Sequence, residues 1–349
     1  MSDSKVKEII KAAPPFTQLT DLAAESLGGK VLYATDDFFA EKENLIKPTR
    51  GIFITDKYTE RGKWMDGWES RRKRTPGHDW AIVQLATPGK IVGFDIDTHF
   101  FLGNHPPNAS IEAAYIKNGS VITDLPNEQA GWETVAWKEL LPKSHLDAGS
   151  QNFYACEHNE LFTHIRLHIY PDGGVARLRV YGEVFKDWNA VAQNETTDLA
   201  AAINGGKAIA CNDMFFSDMG NLLMPGRGVN MGDGWETKRN RTPNNRDWVI
   251  VKLAKPGIIE RIIVDTCHFK GNYPDSCSIE ACLSDSDDHV INEKIAWQTI
   301  LRQQKLNADA EHEFVKEIVN PSACSHVRLN IFPDGGISRL RLFGKQKDQ

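Results

Sequence analysis

The chain has 349 residues, a formal net charge of −6 and a pI near 6.0. Because its lysines and arginines are dispersed along the chain, the sequence predicts no basic surface that would bind nucleic acid. It has no apolar stretch long enough to cross a bilayer and no secretion signal at its N-terminus, and its six cysteines lack CxxC spacing. We therefore expect a cytoplasmic protein with reduced thiols and no membrane partner.

One tract of sequence occurs twice in the chain. The tract from His164 to Gly182 returns from His326 to Gly344, with the turn Pro-Asp-Gly-Gly and the run Arg-Leu-Arg at the same positions in each copy. The separation of the copies along the sequence is much larger than the roughly 20–50-residue periods of solenoid repeats, so each copy should have a complete hydrophobic core. The sequence therefore predicts two tandem domains.

The repeat extends toward the start of each copy and sets the domain boundaries. The run Thr-Asp-Leu-Ala-Ala occurs at 20–24 and again at 197–201, and Asp-Gly-Trp-Glu occurs at 66–69 and again at 233–236. The predicted divisions are an N-terminal segment at 1–21, a first domain at 22–185, a linker at 186–198 and a second domain at 199–349.

Residue patterns predict short strands through most of each copy. Short helices are expected only near 19–27 and 199–204. Residues 80–85 and 91–97 have the β-branched and aromatic composition of strands, and Thr87-Pro88-Gly89-Lys90 between them suggests a turn. The second copy repeats this pattern.

Apolar and polar residues alternate later in each copy with the period of a strand. Residues 165, 167 and 169 are apolar and face one way, and the polar residues between them should face outward. After the Pro-Asp-Gly-Gly turn, Leu178 and Val180 should face inward, and Arg177 and Arg179 outward. The patterns predict an all-β fold of two tandem antiparallel β-sandwiches.

The Asp-Gly-Trp-Glu loop is the first candidate for chemistry. Carboxylates beside arginines suit acid–base work next to an anion clamp. The same pattern is typical of a salt-bridged turn packed on Trp68, and the sequence leaves both interpretations open. The candidate residues are Asp66, Glu69, Arg72 and Arg74 in the first copy and Asp233, Glu236, Arg239 and Arg241 in the second.

A second candidate lies after the strand at 91–97. Asp97 and His99 could form a proton-transfer pair close to Asn104 and His105. The alternative is a capped strand end with an exposed histidine. Asp97, His99 and His105 also offer oxygen and nitrogen ligands to a divalent metal such as Mn²⁺, although their spacing matches no closed motif.

The second copy departs from this pattern. Asp265 and Asn272 are retained, whereas Cys267 and Tyr273 replace the two histidines. If proton transfer uses an imidazole, the first copy supplies it. We therefore expect His99→Asn to lower kcat far more than Cys267→Ala.

Cationic residues of the repeated tract form a third candidate set. They could bind carboxylate or amide oxygens, but we favour the alternative that they are strand residues paired with nearby acids. Asp172 and Asp334 are interpreted as turn residues, because Asp-Gly and Gly-Gly steps need positive φ. The cationic set is His164, Arg166, Arg177 and Arg179, which recur as His326, Arg328, Arg339 and Arg341.

The repeated motifs as a group resemble those of the allantoicase family. The resemblance runs from about Leu22 to Gly344 and occurs in both halves. A looser likeness over 80–97 fits galactose-binding-like jelly rolls and supports the fold alone. The motifs are the Asp-Gly-Trp-Glu block, the Asp97-Thr98 strand end with Gly103-Asn104-His105-Pro106, the Ser110-Ile111-Glu112-Ala113 strand and the twofold Pro-Asp-Gly-Gly-x-x-Arg-Leu-Arg tract.

This resemblance implies hydrolysis of allantoate to ureidoglycolate and urea in purine degradation. Allantoate carries a carboxylate and two ureido groups on one carbon, so its site needs a cationic clamp, amide-type partners and a proton donor for the leaving urea. We also expect a homo-oligomer. The catalytic candidates are Asp66, Glu69, Asp97, His99 and His105. The substrate-binding candidates are Arg72, Arg74, Asn104, His164, Arg166, Arg177, Arg179, Asp233, Glu236, Arg239, Arg241 and Asn272.

Two other functions fit a tandem jelly roll. A non-catalytic small-molecule or glycan-binding protein would use loop aromatics such as Trp64, Trp68 and Trp132 as platforms. A catalytically inactive subunit would keep the fold and lose its loop carboxylates. Because both Asp-Gly-Trp-Glu blocks retain acids and nearby arginines, the sequence favours an enzyme, and Trp68 and Trp235 are expected to be buried.

Overall fold

The computed structural model describes residues 12–117 and 129–347. The chain divides into two compact units between Phe185 and Lys186. Each unit builds its own sheets, and no sheet of the described residues includes strands from both units. Within the same residues, no helix is both long and apolar enough to cross a membrane.

The first unit consists mainly of strands. In chain order they are β1 (Thr20–Asp21), β2 (Lys30–Ala34), β3 (Tyr58–Thr59), β4 (Gly62–Lys63), β5 (Trp68–Glu69), β6 (Asp79–Asp97), β7 (Asn108–Ala114), β8 (Lys138–His145), β9 (Gln151–Ala155), β10 (Leu161–Tyr170), β11 (Gly174–Val175) and β12 (Arg177–Val184). The helices are α1 (Gln129–Glu133) and 3₁₀ turns at Pro15–Gln18, Glu25–Leu27 and Lys42–Ile46.

The second unit repeats most of this order. Its strands are β13 (Thr197–Asp198), β14 (Lys207–Cys211), β15 (Trp235–Glu236), β16 (Asp247–Asp265), β17 (Ser276–Cys282), β18 (Gln298–Lys305), β19 (Glu311–Phe314), β20 (Cys324–Phe332), β21 (Gly336–Ile337) and β22 (Arg339–Gln346). Its helices are α2 (Asp287–Ile291) and 3₁₀ turns at Trp188–Ala190, Ala202–Asn204, Met219–Leu223 and Met231–Asp233.

A single long strand connects the two layers of each unit. The first half of β6 pairs with β2 and β10, and its second half pairs with β9 and β12, all antiparallel. In the second unit, the first half of β16 pairs with β14 and β20, and its second half pairs with β19 and β22. Each unit is therefore an antiparallel β-sandwich, and the predicted all-β fold is confirmed.

The turn predicted at Thr87-Pro88-Gly89-Lys90 is wrong. These residues continue β6, and the pairing with β10 shifts register between Phe162 and His164 where that strand passes them. A side chain at Gly89 would lie 2.7 Å from the carbonyl oxygen of Glu183. The glycine is thus explained by close contact with β12, and the long strand bends between layers without reversing.

The core confirms the predicted alternation on β10 and also shows what covers the other face. Ile165 and Leu167 are fully buried in the main core with Leu178. The opposite face, predicted to be outward, is covered by a second cluster that includes Trp132. His164 is consequently buried, because the Trp132 ring lies 6.0 Å from its imidazole.

The sheets extend slightly beyond the predicted domain limits. Thr20 in β1 pairs with Gly182, and Thr197 in β13 pairs with Gly344. The predicted N-terminal segment and linker therefore each contribute residues to a sheet.

The Pro-Asp-Gly-Gly turn ties two distant loops together in each unit. Gly173 has φ 137°, and the backbone N–H of Gly174 donates to the carbonyl of Asn104 at 2.8 Å. A Cβ on Gly174 would lie 1.9 Å from the Phe101 ring. Gly335 and Gly336 repeat this arrangement, so the turn requires glycine for both conformation and space.

We predict that Gly174→Ala lowers the free energy of unfolding by about 1–3 kcal/mol, because the added methyl group must displace the buried Phe101 ring. Gly103→Ala is the matched control, since a Cβ there meets no atom within 4 Å. Thermal and denaturant unfolding of both variants measure the difference. Equal stability of the two variants would contradict the packing argument.

Candidate active site

A carboxylate–amide pair occurs at the same place in each unit. Asn104 Nδ2 donates to Glu69 Oε1 at 2.7 Å, and Asn272 Nδ2 donates to Glu236 Oε1 at 2.5 Å. Glu69 pairs through its backbone with Gly174, whose N–H holds the Asn104 loop. The glycine turn thus places the glutamate and the asparagine side by side.

The turn aspartates hold the arginine loops next to this pair. Asp172 Oδ2 accepts from the backbone N–H of Lys73 at 2.7 Å, and Asp334 Oδ2 accepts from that of Asn240 at 2.8 Å. Each bond fixes the residue between two of the predicted arginines. These arginines are Arg72 and Arg74 in the first unit and Arg239 and Arg241 in the second. All four are exposed, so their guanidinium groups can contact a ligand.

The second unit has an open cleft of about 640 Å³ at this position. Its volume lies in the range of small-molecule sites, about 300–1,000 Å³. Its lining combines a carboxylate, an amide and two guanidinium groups, which are Glu236, Asn272, Arg239 and Arg241. Tyr273 and Asp334 also line it. Three of the four predicted loop residues of the second unit, all but Asp233, therefore converge on one cleft.

The corresponding glutamate of the first unit has a more apolar setting. A second cavity of about 420 Å³ is lined by Glu69 and Asn104 together with Phe39, Phe53 and Phe100. Burial raises the pKa of Glu69, and the hydrogen bond from Asn104 acts in the opposite direction. A carboxyl group with a raised pKa retains its proton more readily and can donate it to a leaving group.

His105 occupies the position that Tyr273 has in the second unit. Its imidazole lies near the backbone of Leu102 and the side chains of His145 and Asp147, and His105 does not line the cavity beside Glu69. Burial lowers the pKa of His105. The ring is therefore neutral near pH 7.

Several predicted site residues lie elsewhere. Arg177 is only 1% exposed and donates to Asp66 Oδ2 at 2.8 Å, and Arg339 donates to Asp233 Oδ2 at the same distance. Arg177 also donates to the Thr49 carbonyl. Each aspartate–arginine pair links a loop to a strand. The guanidinium groups of Arg177 and Arg339 therefore donate to partners within the protein, and neither pair lines the cleft of the second unit.

The other cationic strand residues also have partners within the protein. Arg166 forms a 2.5 Å ion pair with Glu112, and Arg179 donates to the carbonyls of Pro48 and Thr49. Burial lowers the pKa of His164 to about 4, so it is neutral. This supports the favoured interpretation of the set as strand residues that pair with nearby groups.

Asp97 and His99 are not arranged as the expected side-chain pair. Asp97 accepts from Arg50 Nε at 2.8 Å and from the backbone N–H of His99 at 2.9 Å. The His99 ring packs on Phe100, with centroids 3.9 Å apart. Within residues 12–117 and 129–347, Asp97, His99 and His105 do not form a group of potential metal ligands within 4.8 Å of one another.

The sequence interpretation missed the structural role of two aspartates. The sequence predicts a role in the turn alone for Asp172 and Asp334, yet their carboxylates position the arginine loops. Their occurrence at the same place of the repeated tract in both copies was the available signal. Trp68 and Trp235 are fully buried, as predicted.

The fold and the cavities define a tandem β-sandwich protein with a repeated glutamate–asparagine pair, which two arginines join in the cleft of the second unit. The family model of the allantoicase repeat matches residues 20–185 and 197–347. The chain belongs to the allantoicase family, which confirms the resemblance found in its motifs.

Individual relatives and structures agree with this assignment. The chain is 50% identical over 335 residues to a probable allantoicase of Pseudomonas fluorescens (strain SBW25), covering 95% of this chain and 98% of that protein. A probable allantoicase of Photobacterium profundum is also 50% identical, with 94% and 97% covered. The crystal structure of Saccharomyces cerevisiae allantoicase has a TM-score of 0.77 and 38% identity, with 93% and 92% covered.

A buried acid on β6 generates a testable dependence of stability on pH. Asp95 is 2% exposed, accepts from Gln151 Nε2 at 2.6 Å, and has a second oxygen that is buried without a partner. Burial raises the pKa of Asp95 from 3.8 to about 7. The folded protein therefore holds a proton that the unfolded chain releases, and stability falls as pH rises through this window.

We predict that Asp95→Asn removes this loss. The free energy of unfolding of the variant minus that of the original protein should increase by about 3 kcal/mol from pH 5 to pH 8.5. Denaturant unfolding at both pH values measures the gain, with the exposed Asp56→Asn as control. A difference between Asp95→Asn and the original protein that does not change with pH would refute the assignment.

Proposed function

We propose that this protein hydrolyses allantoate to ureidoglycolate and urea, as an enzyme of purine degradation, and that the glutamate–asparagine–arginine site of each unit performs the reaction. The observation that carries the proposal is the cleft of the second unit, which brings Glu236, Asn272, Arg239 and Arg241 together. The family assignment supports the same chemistry.

The cleft offers the partners that allantoate requires. The guanidinium groups of Arg239 and Arg241 are planar, carry a positive charge, and suit bidentate contact with a carboxylate. Asn272 has both an amide donor and an amide acceptor for a ureido group. The arginine loop is held by Asp334 before substrate binds, which reduces the ordering that binding must supply.

The glutamate is the proposed proton carrier. During hydrolysis the bond from carbon to the ureido nitrogen breaks, a bond from carbon to the water oxygen forms, and the leaving nitrogen gains a proton. Glu69 in its protonated form can donate that proton, and the carboxylate that results can accept one from the water. Its raised pKa favours the donor state at the start.

The sequence leads us to expect that the first unit alone supplies an imidazole for proton transfer, and the proposed reaction differs from that expectation. The Asp97 carboxylate is paired with Arg50, and both units retain the glutamate–asparagine contact. We therefore assign a site to each unit and no proton-transfer role to His99.

The alternative of a glycan-binding protein has less support. Trp68 and Trp132 are fully buried and cannot act as platforms, and Lys57 covers the ring of Trp64 at 3.8 Å from its centroid. A cytoplasmic location and a homo-oligomeric state stay predictions. Light scattering on the purified protein tests the second.

We predict that purified protein releases urea from allantoate, and that the double variant Glu69→Gln/Glu236→Gln lowers kcat by about 10²–10⁴, because it removes both proton carriers. Each single variant should keep the activity of the other unit. Urea formation under steady-state conditions measures all three.

The matched control replaces one exposed glutamate in each unit, as Glu139→Gln/Glu317→Gln, and should retain full kcat. Absence of urea release by the original protein would contradict the proposed reaction. Full activity of the Glu69→Gln/Glu236→Gln variant, with unchanged melting temperature, would contradict the proposed residues.

A further inference from the structure

Three potential metal ligands of different chemistry meet in the second unit, outside the residues that line the cleft. They are Cys267, His268 and Asp309, and one ligand atom of each lies within 4.8 Å of the others. Cys267 is buried, His268 is half-buried and Asp309 is exposed. The group lies just after β16, at the start of the loop that carries Asn272 into the cleft.

Hydrogen bonds already orient two of the three ligands. The ring of His268 donates from Nε2 to the carbonyl of Gly228 at 2.8 Å, which leaves Nδ1 as the nitrogen with a free lone pair. Asp309 Oδ1 accepts from the backbone N–H of His268 at 2.7 Å. Such outer contacts are typical of metal ligands, because they fix the tautomer and hold the carboxylate in place.

The local charge balance suits a divalent cation. A thiolate and a carboxylate would each contribute one negative charge. The nearest cations compete little, because the guanidinium of Arg227 is held by both oxygens of Asp265, at 2.9 and 3.1 Å. Lys270 lies 3.9 Å from Asp309 Oδ2 and is highly exposed, so it can turn into solvent.

The same residues do not form a nucleophilic triad. A thiol nucleophile needs an imidazole that takes its proton and a carboxylate that orients that imidazole. Here the Nε2 of His268 faces a carbonyl, and Asp309 contacts the backbone of His268. The arrangement therefore does not activate the thiol as a nucleophile, whereas it does hold three potential ligand atoms within 4.8 Å of one another.

The first unit provides an internal comparison. Phe100 and His268 have nearly the same left-handed backbone, with φ 66° and 69°, so the turn after the long strand is shared. In the first unit His99 stands at the position of Cys267, and Gly149 at the position of Asp309. Only the second unit therefore carries all three ligands.

We propose that Cys267, His268 and Asp309 bind a divalent transition metal such as Zn²⁺, with solvent in the remaining position. Sulfur and nitrogen ligands favour this class of ion over Mg²⁺ or Ca²⁺. The metal would brace the start of the loop that carries Asn272. The proposal is independent of the reaction that the cleft performs.

Cobalt(II) titration of the full-length protein, stripped with a chelator and kept reduced, tests the proposal. One equivalent of Co²⁺ should produce a thiolate-to-cobalt charge-transfer absorption that Zn²⁺ removes by competition. Cys267→Ser should lose this absorption, and Asp309→Asn should weaken Co²⁺ binding at least about tenfold. Cys211→Ser, a half-buried cysteine outside the group, is the matched control and should bind as the original protein does.

Absence of the absorption in excess Co²⁺ would overturn the proposal, as would its retention in Cys267→Ser or its loss in Cys211→Ser. Because Asp309 is exposed, Asp309→Asn is expected to fold normally. If Cys267→Ser fails to fold, the affinity of Asp309→Asn decides the question, and an unchanged affinity would refute the site.

Discussion

The backbone hydrogen bond from the second glycine of each Pro-Asp-Gly-Gly turn is the contact on which the candidate site depends. It joins Gly174 to the Asn104 carbonyl in the first unit and Gly336 to the Asn272 carbonyl in the second. The same glycine pairs with the glutamate strand, so one short turn positions the amide and the carboxyl group. The aspartate before it positions the arginine loop.

The two units keep these contacts while differing in the residues around them. The buried acid Asp95 corresponds to Ile263 in the second unit, and His105 corresponds to Tyr273. Burial raises the pKa of Glu69, which lines an apolar cavity of the first unit. Duplication has therefore preserved the glutamate–asparagine contact and varied its surroundings, so the two units can respond differently to pH.

Much of the fold could be predicted from the sequence, because a repeated tract with period-two alternation has few folded solutions. The bend at Gly89 was misread as a turn, since Pro-Gly composition does not reveal whether a strand reverses or only changes layer. The burial of His164 was missed because Trp132, which covers it, lies in a different part of the sequence. Long-range packing of this kind carries no local signal.

Site residues were harder to predict than the fold. Asp66, Glu69 and Arg177 have similar sequence contexts in both copies, but the structure pairs Asp66 with Arg177 in the interior and leaves Glu69 beside a cavity. Acids near arginines can form either an internal ion pair or a site, and only their three-dimensional partners distinguish the two. The sequence repeat therefore indicates which loops carry the site, and the contacts of each acid show whether it has a structural role or belongs to the candidate site.

The most direct measurement of the central claim is a crystal structure of the Glu69→Gln/Glu236→Gln variant with allantoate bound. We predict substrate in the cleft of each unit, with its carboxylate on the arginine loop and a ureido group on Asn104 or Asn272. Substrate bound instead against Asp97 and His99, with the clefts empty, would contradict this account.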